Sequence, residues 1–226
     1  MRQVTYSFPA PDYNGIAATQ SWTTATGAYV VINGDLSQAV QGTPGQNTNR
    51  YAVLPGIQRT IGIFSTGDLS AVVFYASGID TNGRVVTASF VGASGGGSTA
   101  SDAFATFTAE FHQVNYLYAT AAATSVFTVG TGATGSTRWL QTDTFADPFN
   151  MSISVITATN QTVTVQDTPN NPNLTTVPTA FSHATLVTVT ANAQSNYAYP
   201  VPFTRAIVTT GTATGVGVTV AYTQAG

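Results

Sequence analysis

Short runs in which apolar residues alternate with small or polar residues recur along most of this sequence. The clearest run is Val216–Tyr222, where Val216, Val218, Val220 and Tyr222 alternate with glycine, threonine and alanine. Successive side chains of a strand point to opposite faces of a sheet, so a period of two predicts strands with one buried face. No stretch has the period of an amphipathic helix. The sequence therefore predicts an all-β fold.

The predicted strands form two series on either side of the glycine-rich loop Gly130–Ser136. In the first series, the Asn-Gly pair of Asp80-Thr81-Asn82-Gly83 is typical of a type I′ hairpin turn. The first series comprises Arg59–Phe64, Ala71–Ser77, Val85–Val91, Ala103–Phe107, Val114–Tyr118 and Ser125–Val129, and the second comprises Met151–Val155, Val163–Val165, Ala184–Thr190, Arg205–Thr209 and Val216–Tyr222. The two series predict tandem antiparallel β-sandwich modules, one over residues 51–135 and the other over residues 136–226.

Residues 1–50 combine prolines with large apolar side chains. Pro9 and Pro11 oppose strand pairing because proline has no N–H to donate, and a short strand is expected only at Ala28–Asn33. The segment therefore predicts an extended N-terminal arm that serves in assembly and lies outside both sandwich cores. The alternative is an arm that folds back over the first module. The side chains that a neighbouring subunit would cover are Tyr6, Phe8, Tyr13, Ile16 and Trp22.

Charged residues are scarce, which narrows the possible partners. The 226 residues include 6 arginines, no lysine and 9 acidic residues, so that 7% are charged, against about 25% in an average soluble domain. Nucleic-acid binding is not expected, because phosphate recognition needs clustered basic residues. The surface is instead expected to be covered by partners, the alternative being a surface solvated by threonine and serine.

Other function classes are excluded by residues that are missing. The chain has no cysteine, which excludes disulfides, thiol catalysis and cysteine-ligated metals. It has no apolar run of the ~18 residues that a membrane span needs. The first residues also lack the charged and apolar regions of a signal peptide, so neither a membrane nor a secretory route is expected.

Two glycine motifs resemble catalytic signatures but lack their structural context. Gly130–Gly135 matches G-x-G-x-x-G, yet no helix is predicted behind it and Val155 stands where a dinucleotide site needs an acid. Gly92–Gly96 matches G-x-S-x-G around Ser94, but further glycines follow, and glycine costs about 1 kcal/mol relative to alanine in the helix that such a nucleophile requires. Both motifs are interpreted as loops.

The isolated titratable residues do not form a recognisable site either. His112 and His183 lack metal-ligand spacing, and Asp143 with Asp147 lies in a loop rather than on the walls of a cleft. Asp80 opens a hairpin turn and not a calcium loop, because the downstream glutamate is missing. Asp102 and Glu110 follow Ser94 in the chain order of a hydrolase triad. That order has a meaning only if Ser94 is a nucleophile, which the missing helix argues against. No catalytic, cofactor-binding or metal site is therefore predicted, and no enzyme activity.

Several segments taken together resemble tailed-bacteriophage virion proteins with tandem β-sandwich modules. The segments that carry the resemblance are Tyr6–Ala10, Ile16–Gln20, Gly56–Ile61, Leu69–Phe74, Gly78–Val86, Phe127–Gly132, Pro202–Ile207 and Gly215–Val220. The resemblance implies a non-enzymatic structural role in the virion, assembled in the host cytoplasm.

Within that resemblance, the leading expectation is a capsid decoration or cement protein that bridges capsid subunits. A tail or head–tail accessory protein is the second possibility, and a host-surface carbohydrate-binding adhesion module is the third. The expected partners are the major capsid protein or other virion proteins, together with further copies of this chain. No cofactor is expected.

Overall fold

A computed structural model describes residues 2–23, 27–39, 50–54, 57–93, 104–146, 149–157, 161–175, 178–210 and 218–225. The described residues form antiparallel β-sheets and no helix, so the predicted all-β fold of sandwich modules is confirmed. The chain divides into two compact units. The first unit comprises residues 11–132, and the second comprises residues 1–10 together with residues 133–226.

Eighteen strands are named here in chain order. They are β1 (Arg2–Phe8), β2 (Ala17–Trp22), β3 (Ala28–Tyr29), β4 (Ser37–Ala39), β5 (Arg50–Val53), β6 (Ile57–Ser65), β7 (Val73–Ile79), β8 (Val85–Val91), β9 (Phe104–Phe111), β10 (Gln113–Ala119), β11 (Ala123–Thr137), β12 (Leu140–Gln141), β13 (Asn150–Ile156), β14 (Thr162–Thr168), β15 (Phe181–Ser182), β16 (Ala193–Tyr197), β17 (Phe203–Thr210) and β18 (Val218–Ala225).

The first unit packs a six-stranded sheet and a second set of strands around one apolar core. The six-stranded sheet has the order β4-β5-β10-β7-β8, and β3 pairs with β10. In the second set, β6 pairs with β9 and β2 pairs with the first part of β11. Aromatic rings meet at the centre, where Phe74 lies 5.6 Å from Phe127 and Phe127 lies 5.4 Å from Trp22, both edge to face.

The second unit is built in the same way around its own core. A four-stranded sheet has the order β1-β18-β13-β16. The other strands of the unit pair in the order β15-β14-β17, with β12 and the last residues of β11 also paired with β17. The predicted alternation is present, because Met151, Ile153 and Val155 are buried on β13 and Val220 and Tyr222 are buried on β18.

The prediction of an extended arm outside both cores is wrong. Residues Arg2–Phe8 form β1, which pairs antiparallel with β18, and Tyr6 and Phe8 are buried in the second unit. Ile16 is fully buried in the core of the first unit. The prolines do not prevent this pairing, because Pro9 and Pro11 follow the strand and end it instead of interrupting it.

The glycine-rich segment Gly130–Gly135 is a strand and not the loop that the sequence predicts. It lies within β11, and a Cβ at Gly130 would collide with the backbone of Asp12 and Tyr13. A Cβ at Gly132 would collide with the Thr60 hydroxyl. Glycine therefore permits the backbone of β11 to approach its neighbours closely, which explains the composition without a phosphate or a flexible joint.

Two further local predictions need correction. Residues 80–83 do connect the β7–β8 hairpin, but only Gly83 has a positive φ, of 76°, whereas a type I′ turn needs two such residues. The predicted strand Ala184–Thr190 is a series of bends with one isolated bridge at Val189. The His183 ring prevents extension there, because its Nδ1 accepts hydrogen bonds from the backbone N–H groups of Thr185 and Leu186, each at 3.2 Å.

Candidate binding surface

Four tyrosines lie on the outer face of the six-stranded sheet of the first unit. Tyr118 on β10 is in register with Tyr29 on β3 on one side and with Tyr75 on β7 on the other. Tyr116 lies two residues before Tyr118 on β10. These four residues are called the tyrosine face below. Cross-strand neighbours on one face are close enough for their rings to interact, so the tyrosine face is one continuous patch.

Three of the rings are exposed, and the Tyr29 ring contacts those of Tyr116 and Tyr118 edge to face. Tyr29 is 71% exposed, and Tyr75 and Tyr116 are each 45% exposed. The Tyr29 ring centroid lies 5.3 Å from that of Tyr118 and 6.2 Å from that of Tyr116. None of the four hydroxyl groups has a hydrogen bond to another described residue. The tyrosine face thus offers apolar rings and available hydroxyl groups together.

A β-bulge in β10 turns two of these rings outward. The register shifts between Val114, opposite Gly78, and Tyr116, opposite Ser77. Strict alternation from the buried Val114 would also bury Tyr116 and Tyr118. The extra residue of the bulge reverses the alternation, and Leu117 and Ala119 are buried in the core instead. The tyrosine face therefore depends on this single bulge.

Glycines give the bulge and one ring the space that they need. A Cβ at Gly78 would collide with the Gln113 carbonyl oxygen beside the bulge. A Cβ at Gly27 would collide with the hydroxyl group of Tyr118. Close packing of this kind is a usual reason for glycine in a sheet.

The strands that carry the tyrosine face are neutral, whereas β5, which also pairs with β10, contains Arg50. Strands β3, β7, β8 and β10 contain no charged residue. Exposed serine, threonine and asparagine lie next to the rings, including Ser89 in register with Tyr75, and the exposed Val91 lies on the same face of β8 as Ser89. A partner of high charge would find no ion-pair partner on these strands, so the surface suits a neutral, partly apolar partner.

The histidines that the sequence singled out serve the fold and lie in different units. His112 donates from Nδ1 to the Ile57 carbonyl oxygen at 3.0 Å. His183 is 5% exposed, its Nδ1 accepts two backbone N–H groups, and its Nε2 donates to the Asn196 carbonyl oxygen at 3.4 Å. Both rings are therefore occupied in closing local loops.

The carboxylates that were considered are also engaged locally. Asp80 accepts the backbone N–H groups of Asn82 and Arg84 in the hairpin turn, and Glu110 accepts a hydrogen bond from Gln58 at 2.9 Å. Asp143 accepts the N–H of Phe145, and Gln224 bonds both backbone groups of Asp143. Ser94, Asp102 and Asp147 lie outside the described residues. Among the described residues, no three histidine or acidic side chains form a group that could hold a metal ion.

A buried Tyr–Asp–His arrangement in the second unit resembles a catalytic cluster in its residue types only. The Tyr197 hydroxyl donates to Asp167 at 3.1 Å, and the ring lies 4.6 Å from His183, edge to face. Burial, and next the Asp167 charge, raise the pKa of Tyr197 well above its usual range, so the phenol stays protonated. The buried, protonated Tyr197 side chain therefore acts as a structural hydrogen-bond donor to Asp167.

No protein-family model matches the chain, and no curated protein matches its sequence. The described residues contain no helix that is long and apolar enough to cross a membrane.

Proposed function

We propose that this chain is a non-enzymatic structural protein of a tailed-bacteriophage virion. In the proposed role it is a capsid decoration or cement protein that binds and bridges neighbouring capsid subunits. The tyrosine face carries the proposal, because it is a continuous exposed aromatic surface that no contact within the described part of the first unit covers. Large exposed patches of this kind mark interaction sites.

The chemistry of the tyrosine face suits binding to a protein surface. Tyrosine is enriched in protein interfaces, since a rigid amphipathic ring loses little conformational entropy when it is immobilised. Burying one large apolar side chain contributes about 1.5–3 kcal/mol, so a few rings covered together can anchor a subunit. Neutral hydroxyl and amide groups beside the rings supply hydrogen bonds without the desolvation cost of charges.

Two other functions use the same surface. A tail or head–tail accessory protein would bind a different virion subunit by the same contacts. A host-surface adhesion module would bind carbohydrate, and the observation that favours it is the set of tyrosine hydroxyl groups beside exposed rings that have no hydrogen bond to a described residue. These functions differ in the partner and in the number of copies, and both can be measured.

Quantitative mass spectrometry of purified particles tests the proposal. The particles come from the virus whose genome encodes the chain, and the amount of chain is compared with that of the major capsid protein. A copy number comparable with the capsid protein, with immunogold label over the head, is expected. A copy number that fits one ring, with label at a vertex or on the tail, would favour the accessory role instead. Absence from the particles would overturn the proposal.

A glycan array tests the adhesion function with the same protein. Under the decoration function, the wild-type chain and a Tyr29→Ser/Tyr116→Ser variant give the same background signal on the array. Saturable binding to neutral glycans that the variant loses would establish the adhesion module in its place.

A further inference from the structure

Strand β1 belongs to the second unit in space but not in sequence. The 122 residues 11–132 of the first unit separate β1 from the rest of the second unit. Within the four-stranded sheet, β1 is an edge strand whose neighbour is β18, and the pairing runs without a break from Arg2 opposite Gln224 to Phe8 opposite Val218. Non-covalent contacts therefore hold β1 in this sheet, and the chain that leads from β1 to the rest of the second unit runs through the first unit.

The described contacts of β1 with residues 133–226 are specific. Tyr6 is 5% exposed and Phe8 is 2% exposed. The Tyr6 ring lies 6.2 Å from that of Tyr222, edge to face, and the Tyr6 hydroxyl accepts a hydrogen bond from Arg138 Nε at 2.9 Å. Any copy of the chain presents this same acceptor site. Without a strand in it, β18 would be an open edge beside an exposed core, which proteins avoid.

The connection that follows β1 is short and rich in proline. Pro9 and Ala10 are exposed, and Pro11 begins the first unit. Proline fixes its own φ and holds the preceding residue extended, so Pro9-Ala10-Pro11 resists a tight reversal of the chain. A strand that can make identical contacts within one copy or between copies allows both a monomer and a strand-exchanged oligomer. The strain of the connection and the protein concentration then decide which of the two is populated.

We infer that copies of this chain exchange β1. Residues Arg2–Phe8 of one copy occupy the edge beside β18 of a second copy, in the register seen here, and the other contacts of each unit are retained. Reciprocal exchange gives a closed dimer, whereas donation to the next copy in a series gives an extended assembly. The partner is thus a second copy of this chain. The inference does not depend on the virion function, because it concerns only the second unit and its connection.

Disulfides between engineered cysteines can detect the exchange directly, because the chain contains no cysteine of its own. Thr5 on β1 and Ala221 on β18 are directly opposite, and such pairs have Cα separations that a disulfide can bridge. The variant Thr5→Cys/Ala221→Cys is concentrated, oxidised and run on a denaturing non-reducing gel. Exchange predicts covalent dimers or a ladder of higher species that reduction converts to monomers.

A matched variant controls for accidental cross-linking. Ser154 on β13 is opposite the same Ala221, and both residues follow the first unit in the chain. Ser154→Cys/Ala221→Cys is therefore expected to cross-link within one chain and to migrate as a monomer. Covalent oligomers of this control in the same yield as those of Thr5→Cys/Ala221→Cys would contradict the inference.

Co-expression of two single variants gives an independent result. Thr5→Cys in an untagged chain and Ala221→Cys in a longer tagged chain can form a mixed disulfide in this register only when β1 of one copy lies beside β18 of the other. A mixed species is expected. Its absence, together with purely intramolecular cross-linking of Thr5→Cys/Ala221→Cys at every concentration, would overturn the inference.

Discussion

Tyrosines on the outer sheet face of the first unit and tyrosines in the core of the second unit are placed in opposite ways. In the first unit, Tyr29, Tyr75 and Tyr116 are exposed on a sheet face and their hydroxyl groups have no hydrogen bond to a described residue. In the second unit, Tyr6 and Tyr197 are buried and their hydroxyl groups are paired with Arg138 and Asp167. A buried phenol needs a partner because an unpaired polar group in a core is costly. Stability thus explains why Tyr6 and Tyr197 are paired, whereas it does not explain the exposed rings of the tyrosine face, which we propose bind a partner.

The largest effect is expected from truncating a buried ring. Tyr197→Ala removes a fully buried side chain and should lower the free energy of unfolding by about 3–5 kcal/mol. Tyr116→Ala in the first unit is the matched variant and should change it by less than about 0.5 kcal/mol. Chemical denaturation followed by circular dichroism measures both values. Equal losses in the two variants would contradict the division between buried and exposed tyrosines.

Alkaline pH should weaken the second unit. Burial is the main cause that raises the pKa of Tyr197 and of Tyr222 above the usual value. Since the folded state binds these protons more tightly than the unfolded state, the contribution to stability is complete below about pH 10 and is lost as the pH rises further. Unfolding titrations above pH 10 measure the loss. In the Tyr197→Phe/Tyr222→Phe variant the free energy of unfolding should fall less steeply with pH above 10 than in the wild type, and an equal slope would refute this linkage.

Removing a single buried hydroxyl group should have an intermediate effect. Tyr197→Phe keeps the ring but deletes the hydrogen bond to Asp167, which as a bond to a charged group contributes about 1.5–3 kcal/mol. The melting temperature of Tyr197→Phe is compared with that of Tyr116→Phe, a variant that loses no hydrogen bond to a described residue. If both variants melt at the wild-type temperature, the Tyr197 bond contributes nothing.

The smallest effect on stability is expected on the tyrosine face itself. Tyr29→Ser/Tyr116→Ser removes two exposed rings, so the free energy of unfolding should stay within about 1 kcal/mol of the wild-type value. Differential scanning calorimetry measures it. A much larger loss would mean that the rings stabilise the sheet and are not reserved for a partner.

Much of the fold could be predicted from the period of the sequence. The strands β8 and β13 have the predicted faces, because Val86, Ala88 and Phe90 turn inward on β8 and the apolar residues of β13 are buried. Arg2–Phe8 has the same signal, since Val4, Tyr6 and Phe8 alternate with polar residues. The prolines that follow obscured it, although proline after a strand does not prevent pairing.

The tyrosine face could not be predicted, for two physical reasons. The bulge at Asn115 reverses the phase of β10, and no local sequence pattern marks it. The patch also joins Tyr29 to Tyr118, which are far apart in the chain and adjacent only through strand pairing. Similarly, the pattern at 184–190 predicts a strand, but the backbone N–H groups of Thr185 and Leu186 donate hydrogen bonds to the His183 side chain instead of to a neighbouring strand.

Binding to virus particles that lack the chain tests the proposed binding role of the tyrosine face. Particles produced without the chain are mixed with wild-type protein, with Tyr29→Ser/Tyr116→Ser, or with Tyr199→Ser, a control that removes a 60% exposed tyrosine from the second unit. After sedimentation, the bound protein is quantified on a gel. Wild-type occupancy is expected for Tyr199→Ser, and a loss of at least about tenfold in affinity is expected for Tyr29→Ser/Tyr116→Ser, since 1.4 kcal/mol corresponds to a factor of ten. Wild-type occupancy of a folded Tyr29→Ser/Tyr116→Ser variant would contradict the proposed binding role.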